Sequence, residues 1–147
     1  MGRILPILLL ATALGCRPSG HSAPESAYPL PPQPESVGHY KTAVKSGGGY
    51  FYDEVLEYRV WVHDADGGDD RLNCFESFEE AQLRSRRTKG AEPPLVLVRQ
   101  REWIDEPKPG VFERKTGERL SEWQVPWLAR GARKPGDIEI FLAEHSK

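Results

Sequence analysis

Between Arg17 and Gly49 lies the stretch that most constrains what this chain can fold into. Six of the 13 prolines fall there, Pro18, Pro24, Pro29, Pro31, Pro32 and Pro34, and the stretch closes on Ser46-Gly47-Gly48-Gly49. Gly, Ser and Glu fill most of the rest. Such a composition buries too little apolar surface to offset the entropy of ordering it. The expectation is a disordered, polyproline-like tether over residues 16–49 with a glycine joint at its end, reaching on the order of 100 Å when extended. Any packed core must then come from residues 50–147, room for one small domain.

The residues ahead of the spacer have a different character. Met1-Gly2-Arg3 is a minimal basic start, and Ile4 to Leu14 is apolar apart from Pro6 and Thr12. A bilayer span takes roughly 20 residues, so this stretch is too short to cross one and reads as the core of a signal peptide, residues 1–15. It ends on Ala13-Leu14-Gly15-Cys16, which resembles the lipobox of bacterial lipoproteins. That resemblance implies cleavage before Cys16 and acylation of its thiol. A plain secretory cut after Ala11-Thr12-Ala13 is the alternative, and a long spacer behind Cys16 favours the anchor. The expected address is the cell envelope, membrane-anchored and facing the periplasm or exterior. With Cys16 acylated, Cys74 has no partner for an internal disulfide, and its neighbours Asn73 and Phe75 suggest a small buried residue.

After Gly49 the pattern alternates. Val55 to His63 is strand-like, with Tyr58, Val60 and Val62 on one side and Glu57, Arg59, Trp61 and His63 on the other. Asp64 to Asp70 is a Gly/Asp turn, and Leu72 to Phe75 offers the returning strand. Ser77-Phe78-Glu79-Glu80 is a capping box opening a helix to about Thr88, with Phe78, Ala81, Gln82 and Ser85 on its buried side and Gly90 as its stop. Leu95-Val96-Leu97-Val98 predicts a central strand continuing to Trp103. Pro107 to Gly110 is a turn, Thr116-Gly117 joins a hairpin of 112–115 and 120–125, and Asp137 caps a helix over Ile138 to His145. The class expected is α+β, a small antiparallel or mixed sheet with two helices.

The sequence offers little chemistry. A net charge of -2 gives no basic footprint for nucleic acid. Asp64, Asp66, Asp69 and Asp70 could crowd a hard cation, but Asp69 stands where a calcium loop needs glycine and Phe75 where it needs glutamate, so a solvated turn explains them and no metal site is assigned. His63 could act as a base with Asp64 as orienter, yet adjacent strand residues face opposite sides. Trp103, Trp123 and Trp127 are candidates for a ligand groove, although in a domain this small tryptophans more often belong to the core. Arg84, Arg86, Arg87 and Lys89 complement the dipole at a helix end. No nucleophile elbow, phosphate loop or zinc-protease motif occurs, so no catalytic or cofactor-binding residue is assigned.

From about Tyr50 to Leu128 the chain resembles short bacterial proteins often labelled GNAT-type, that is, acetyltransferase-like. The residues that carry this are 50–63, Pro94 to Val98, Ile104 to Pro107, Gly117 to Arg119 and Glu122 to Val125. The resemblance implies coenzyme A gripped by a Gln/Arg-x-x-Gly-x-Gly/Ala turn at a helix start. Two segments approach that pattern, but Arg87 to Glu92 ends in Glu92 and Arg114 to Arg119 in Arg119. The expected role is therefore a lipid-anchored accessory or binding domain with no cofactor. Its expected partners are the membrane, through its anchor, and an envelope protein or the cell wall. An N-acetyltransferase-like enzyme is the alternative. A peptidoglycan-binding module of the SPOR type is a third reading, on the strand–helix–strand order alone.

Overall fold

Alternation in β2 (Glu54–Val62) sets the architecture, because both of its sides are covered. Tyr58, Val60 and Val62 are essentially unexposed, and so are Glu57 and Arg59 between them. A strand buried on both faces needs a layer above and a layer below the sheet. The computed structural model describes residues 25–41, 44–45 and 49–146 of the chain. The expected leader, Cys16 and the run Ser46-Gly47-Gly48 lie outside these.

The fold is α+β. Its sheet has the order β1-β5-β4-β2-β3, with β1 (Val44–Lys45), β3 (Arg71–Phe75), β4 (Leu95–Lys108) and β5 (Val111–Gln124). β2 to β5 are antiparallel neighbours, and β1 adds a parallel pair at Ser121 and Glu122. β4 is central, as its apolar run Leu95 to Val98 predicts. β3 is the hairpin return expected for Leu72 to Phe75, pairing Phe75 with Tyr58 and Leu72 with Trp61.

Helix α1 (Phe78–Arg87) starts where Ser77 Oγ accepts from the Glu80 N–H at 3.3 Å. Its inner side is the expected one: Ala81 is buried, with Phe78, Gln82 and Ser85 partly so. Ala81 belongs to the main core with Val60, Val62, Val96, Val98 and Trp123, and Phe78 packs against it. Helix α2 (Asp137–His145) covers the far half of the β4–β5 hairpin, where Ile138 and Phe141 pack with Ile104, Tyr50 and Phe112. Its cap differs from expectation: Gly136 precedes it with φ at 91°, and Asp137 Oδ2 instead accepts from the Lys134 N–H at 2.8 Å.

Two sequence expectations are corrected. The first is the hairpin at Thr116-Gly117. β5 runs unbroken through both residues, and the chain reverses at Pro109-Gly110, where Lys108 pairs with Val111. Pro107 stays inside the strand because the register shifts between Asp105 and Lys108. Glu106 and Pro107 together face Phe112, so no ladder N–H is demanded of the proline. Gly117, with φ at 131°, lies in the second shift, where 117 and 118 face a single residue of β4.

The second concerns the spacer. Residues 25–41, placed in the expected tether, are bound to the domain. Ala27 N and Ser26 Oγ donate to the two carboxylate oxygens of Glu79 at 2.9 and 2.8 Å, tying the segment to the start of α1. Tyr28 stacks edge-on against Phe78, and Tyr58 donates its hydroxyl to Pro29 O at 2.6 Å. A 3₁₀ turn at Pro34–Ser36 follows, then Gly38 and Tyr40 reach Glu57 and Arg59 on the opposite side of the sheet. The segment turns the sheet edge where β2 outruns β3, since β3 partners only Tyr58 to Val62. We call it the strap. Proline makes it possible: a chain already restricted to extended φ loses less entropy on docking.

Candidate functional site

Under the strap lies a buried ionic group. Arg59 Nε meets Glu57 at 2.6 Å and Arg59 Nη1 meets Glu122 at 2.7 Å, with all three side chains at most 3% exposed. The strap completes their bonding: the Gly38 N–H donates to Glu57 Oε2 at 2.7 Å, and Arg59 Nη2 donates to Tyr40 O at 3.3 Å. Burial works against the Arg59 charge, yet the bonds to Glu122 and Glu57 outweigh it and leave its pKa raised. Leu56 and Leu97 form a second buried apolar cluster with Tyr40, whose carbonyl Arg59 reaches, and Leu120.

Cys74 borders the same group, its thiol donating to Glu57 Oε1 at 3.4 Å. It is half-buried rather than fully enclosed. Burial first, and the Glu57 charge second, push its pKa up to about 12, so the thiol stays protonated near neutrality. Reactivity follows the thiolate, and Cys74 is therefore a poor nucleophile. The sequence placed Glu57 and Arg59 on one side of a strand but gave no sign that the side was covered. The missed signal was the pair of tyrosines in the spacer, Tyr28 and Tyr40, which a composition count submerges.

His63 directly follows β2 and is half-exposed. Its Nδ1 lies 2.6 Å from Asp70 Oδ1 and its Nε2 lies 2.7 Å from Glu92 Oε1. The supposed orienter, Asp64, instead accepts from the Asp66 N–H inside the turn at 3.3 Å. Bonds to Glu92 and Asp70 raise the His63 pKa. With both ring nitrogens engaged by carboxylates, this imidazole favours its charged form and has no nitrogen left to accept a substrate proton. Asp64, Asp66, Asp69 and Asp70 do not converge with one another, and no group of three metal-ligating side chains occurs among the described residues.

The three tryptophans do not share a groove. Trp123 is 1% exposed, set edge-on to Tyr52 with ring centroids 5.8 Å apart, and its indole N–H meets no acceptor among the described residues. Trp127 packs against the same core. Trp103 lies seven positions along β4 from Val96, the partner of Trp123, which at about 3.3 Å per residue separates them by roughly 20 Å. Its ring carries the Arg119 guanidinium at 5.0 Å from the centroid.

Neither near-match to a coenzyme A turn opens a helix. Arg87 to Glu92 leaves the C-terminal end of α1, where the dipole disfavours phosphate, and Arg114 to Arg119 lies wholly within β5. Gly90 answers to packing: φ is 80°, and a Cβ there would fall 2.2 Å from His63 O. The backbone comes this close because the His63 N–H donates to Gly90 O and the Glu92 N–H to Trp61 O, at 2.9 and 2.8 Å.

An open concavity lies between α1 and β3. Phe75, Leu83, Glu80, Arg84 and Arg87 line about 410 Å³ there. Leu83 is 47% exposed and Leu72, on the neighbouring strand, 36%. Among the described residues, no helix is long and apolar enough to cross a membrane. Compared with known proteins, the chain matches no family model, no curated protein and no solved structure.

Proposed function

We propose that this chain is a lipid-anchored protein of the cell envelope, whose α+β domain is held near the membrane and binds a partner there. The observation that carries the reading is the sequence Ala13-Leu14-Gly15-Cys16 behind a short apolar leader. The strap sharpens it. Because residues from Ser26 onward are tied to α1, only about nine residues separate Cys16 from the docked chain. At most ~3.5 Å per residue, they reach about 30 Å. An acylated Cys16 then keeps the domain close to the headgroups, where a tether ending at Tyr50 would let it roam nearly four times as far. No catalytic residue or cofactor enters this reading.

The test is the mass of the protein extracted from membranes. The expected product begins at Cys16 and carries acyl chains, and a Cys16→Ser chain loses both the modification and the membrane association. An unmodified Cys16 on the mature protein overturns the proposal.

A further inference from the structure

Arginines are sorted across this molecule. Arg59, Arg99, Arg101, Arg114 and Arg133 each meet carboxylates within 3.1 Å. Arg119 and Arg130 lie over the rings of Trp103 and Tyr50. Against these stand Arg71, Arg84, Arg86 and Arg87, exposed and without a protein partner among the described residues. All four belong to β3 and α1, the two elements that flank the open concavity.

Two further observations fall on the same place. β3 ends the sheet, and besides its ladder to β2 its residues make no backbone hydrogen bond with any described residue, so one edge of N–H and C=O groups is open. Beside that edge the floor is apolar, formed by Phe75 and Leu83, while Glu80 marks one end and Arg84 and Arg87 the other. An open strand edge next to a helix-walled apolar channel is the arrangement that accepts an added strand, with main-chain bonds for affinity and pockets for alternate side chains.

We propose that the channel between β3 and α1 receives an extended peptide segment of alternating apolar and acidic residues, which adds to the edge of β3 and sets its carboxylates on Arg84 and Arg87. Charge complementarity selects this occupant. Arg84 and Arg87, which line the channel and meet no partner among the described residues, call for anions, and the apolar floor calls for side chains interleaved with them. A flat anionic lipid surface fits less well, because Glu80 lines the channel and Asp69 and Asp70 adjoin Arg71. The inference deepens the reading of a partner-binding domain and rests on it, but it does not need the anchor.

The full chain in a neutral detergent is titrated against a short fluorescein-labelled peptide alternating valine and glutamate, with a valine–lysine peptide as its counterpart. The acidic peptide is expected to bind and the basic one not, and the outward amides of β3 should slow their exchange with solvent in the complex. The double variant Arg84→Glu/Arg87→Glu should weaken binding by about tenfold or more, as expected when two partly exposed charge pairs turn repulsive. Lys115→Glu, on the distal hairpin, should leave it unchanged. Circular dichroism confirms that the variants fold. If Arg84→Glu/Arg87→Glu does not fold, Leu83→Asp on the channel floor replaces it. Equal binding of both peptides, no binding, or unaltered β3 exchange overturns the inference. So does an arginine-dependent response to phosphatidylglycerol vesicles alone. None of these outcomes bears on whether Cys16 is acylated, so the two proposals fail separately.

Discussion

At the scale of single residues, the strongest interactions here involve charges the sheet has buried. Arg59 serves Glu57 and Glu122 together, so deleting it strands two carboxylates, whereas deleting Glu122 leaves Arg59 still paired. Breaking a buried pair by removing one partner costs about 3–5 kcal/mol, because the remaining charge is neither solvated nor compensated. Arg59→Met is therefore expected to lose about that much, and Glu122→Gln distinctly less, by urea midpoints at constant slope. Equal losses would mean that Glu57 is not held by Arg59. His63 is the opposite case, exposed and held by two carboxylates. Its folded pKa is raised above the ordinary 6.5 by Glu92 and Asp70. The charged form is thus favoured by folding, and its contribution is complete below about 6.5 and fades as pH rises through the higher folded value. Thermal scans from acid to alkaline pH should show wild type ahead of His63→Gln at the acid end, with the gap closing above neutrality and shrinking in salt. A gap that widens with pH would contradict the bonding described.

At the scale of elements, position and packing decide more than residue type. Gly49 closes a run that composition reads as a flexible joint, yet a Cβ there would fall 1.7 Å from Trp123 Cζ2. That ring belongs to the main core and has no room to retreat. Gly49→Ala is expected to destabilise by about 1–3 kcal/mol, the usual penalty of overpacking. Gly68→Ala, whose Cβ would meet only the Asp64 side chain in the surface turn, should stay within about 0.5 kcal/mol. Similar losses at both would remove the packing argument. The elements legible in the sequence were those whose signal is local. β2 follows from alternation, α1 from its Ser77 cap and Gly90 stop, and β4 from an unbroken apolar run. The hairpin was misplaced because Pro107 looks like a strand breaker until the bulge opposite Phe112 excuses its missing N–H. The candidate site was less legible still. Trp123 stood between core and groove in the sequence and is core, while the channel joins Phe75 to Leu83, Arg84 and Arg87 through a β3–α1 contact that no spacing announces.

At the scale of the whole molecule, the domain does not begin where its regular structure begins. A sheet with helices on one face would leave Leu56, Leu97 and the Glu57–Arg59–Glu122 group open to water on the other. The strap supplies the missing layer without a single long helix or strand, using a 3₁₀ turn, two tyrosines and backbone groups. This changes what a truncation should do. If the chain before Tyr50 were a passive leash, a protein starting at Tyr50 would be as stable as one starting at Glu25. With the strap docked, the shorter protein loses the Tyr58–Pro29, Gly38–Glu57 and Arg59–Tyr40 bonds and exposes part of Phe78. At a net ~1 kcal/mol for each bond, and more where one partner is charged, the loss is about 3 kcal/mol or greater. That is a large share of the 5–15 kcal/mol that holds an ordinary domain together. The expected outcome is a lower urea midpoint for the chain from Tyr50, with faster amide exchange concentrated in β2 around Glu57 to Arg59. Coincident midpoints would return the strap to the role of a leash and would remove the short reach on which the proposed closeness to the membrane depends.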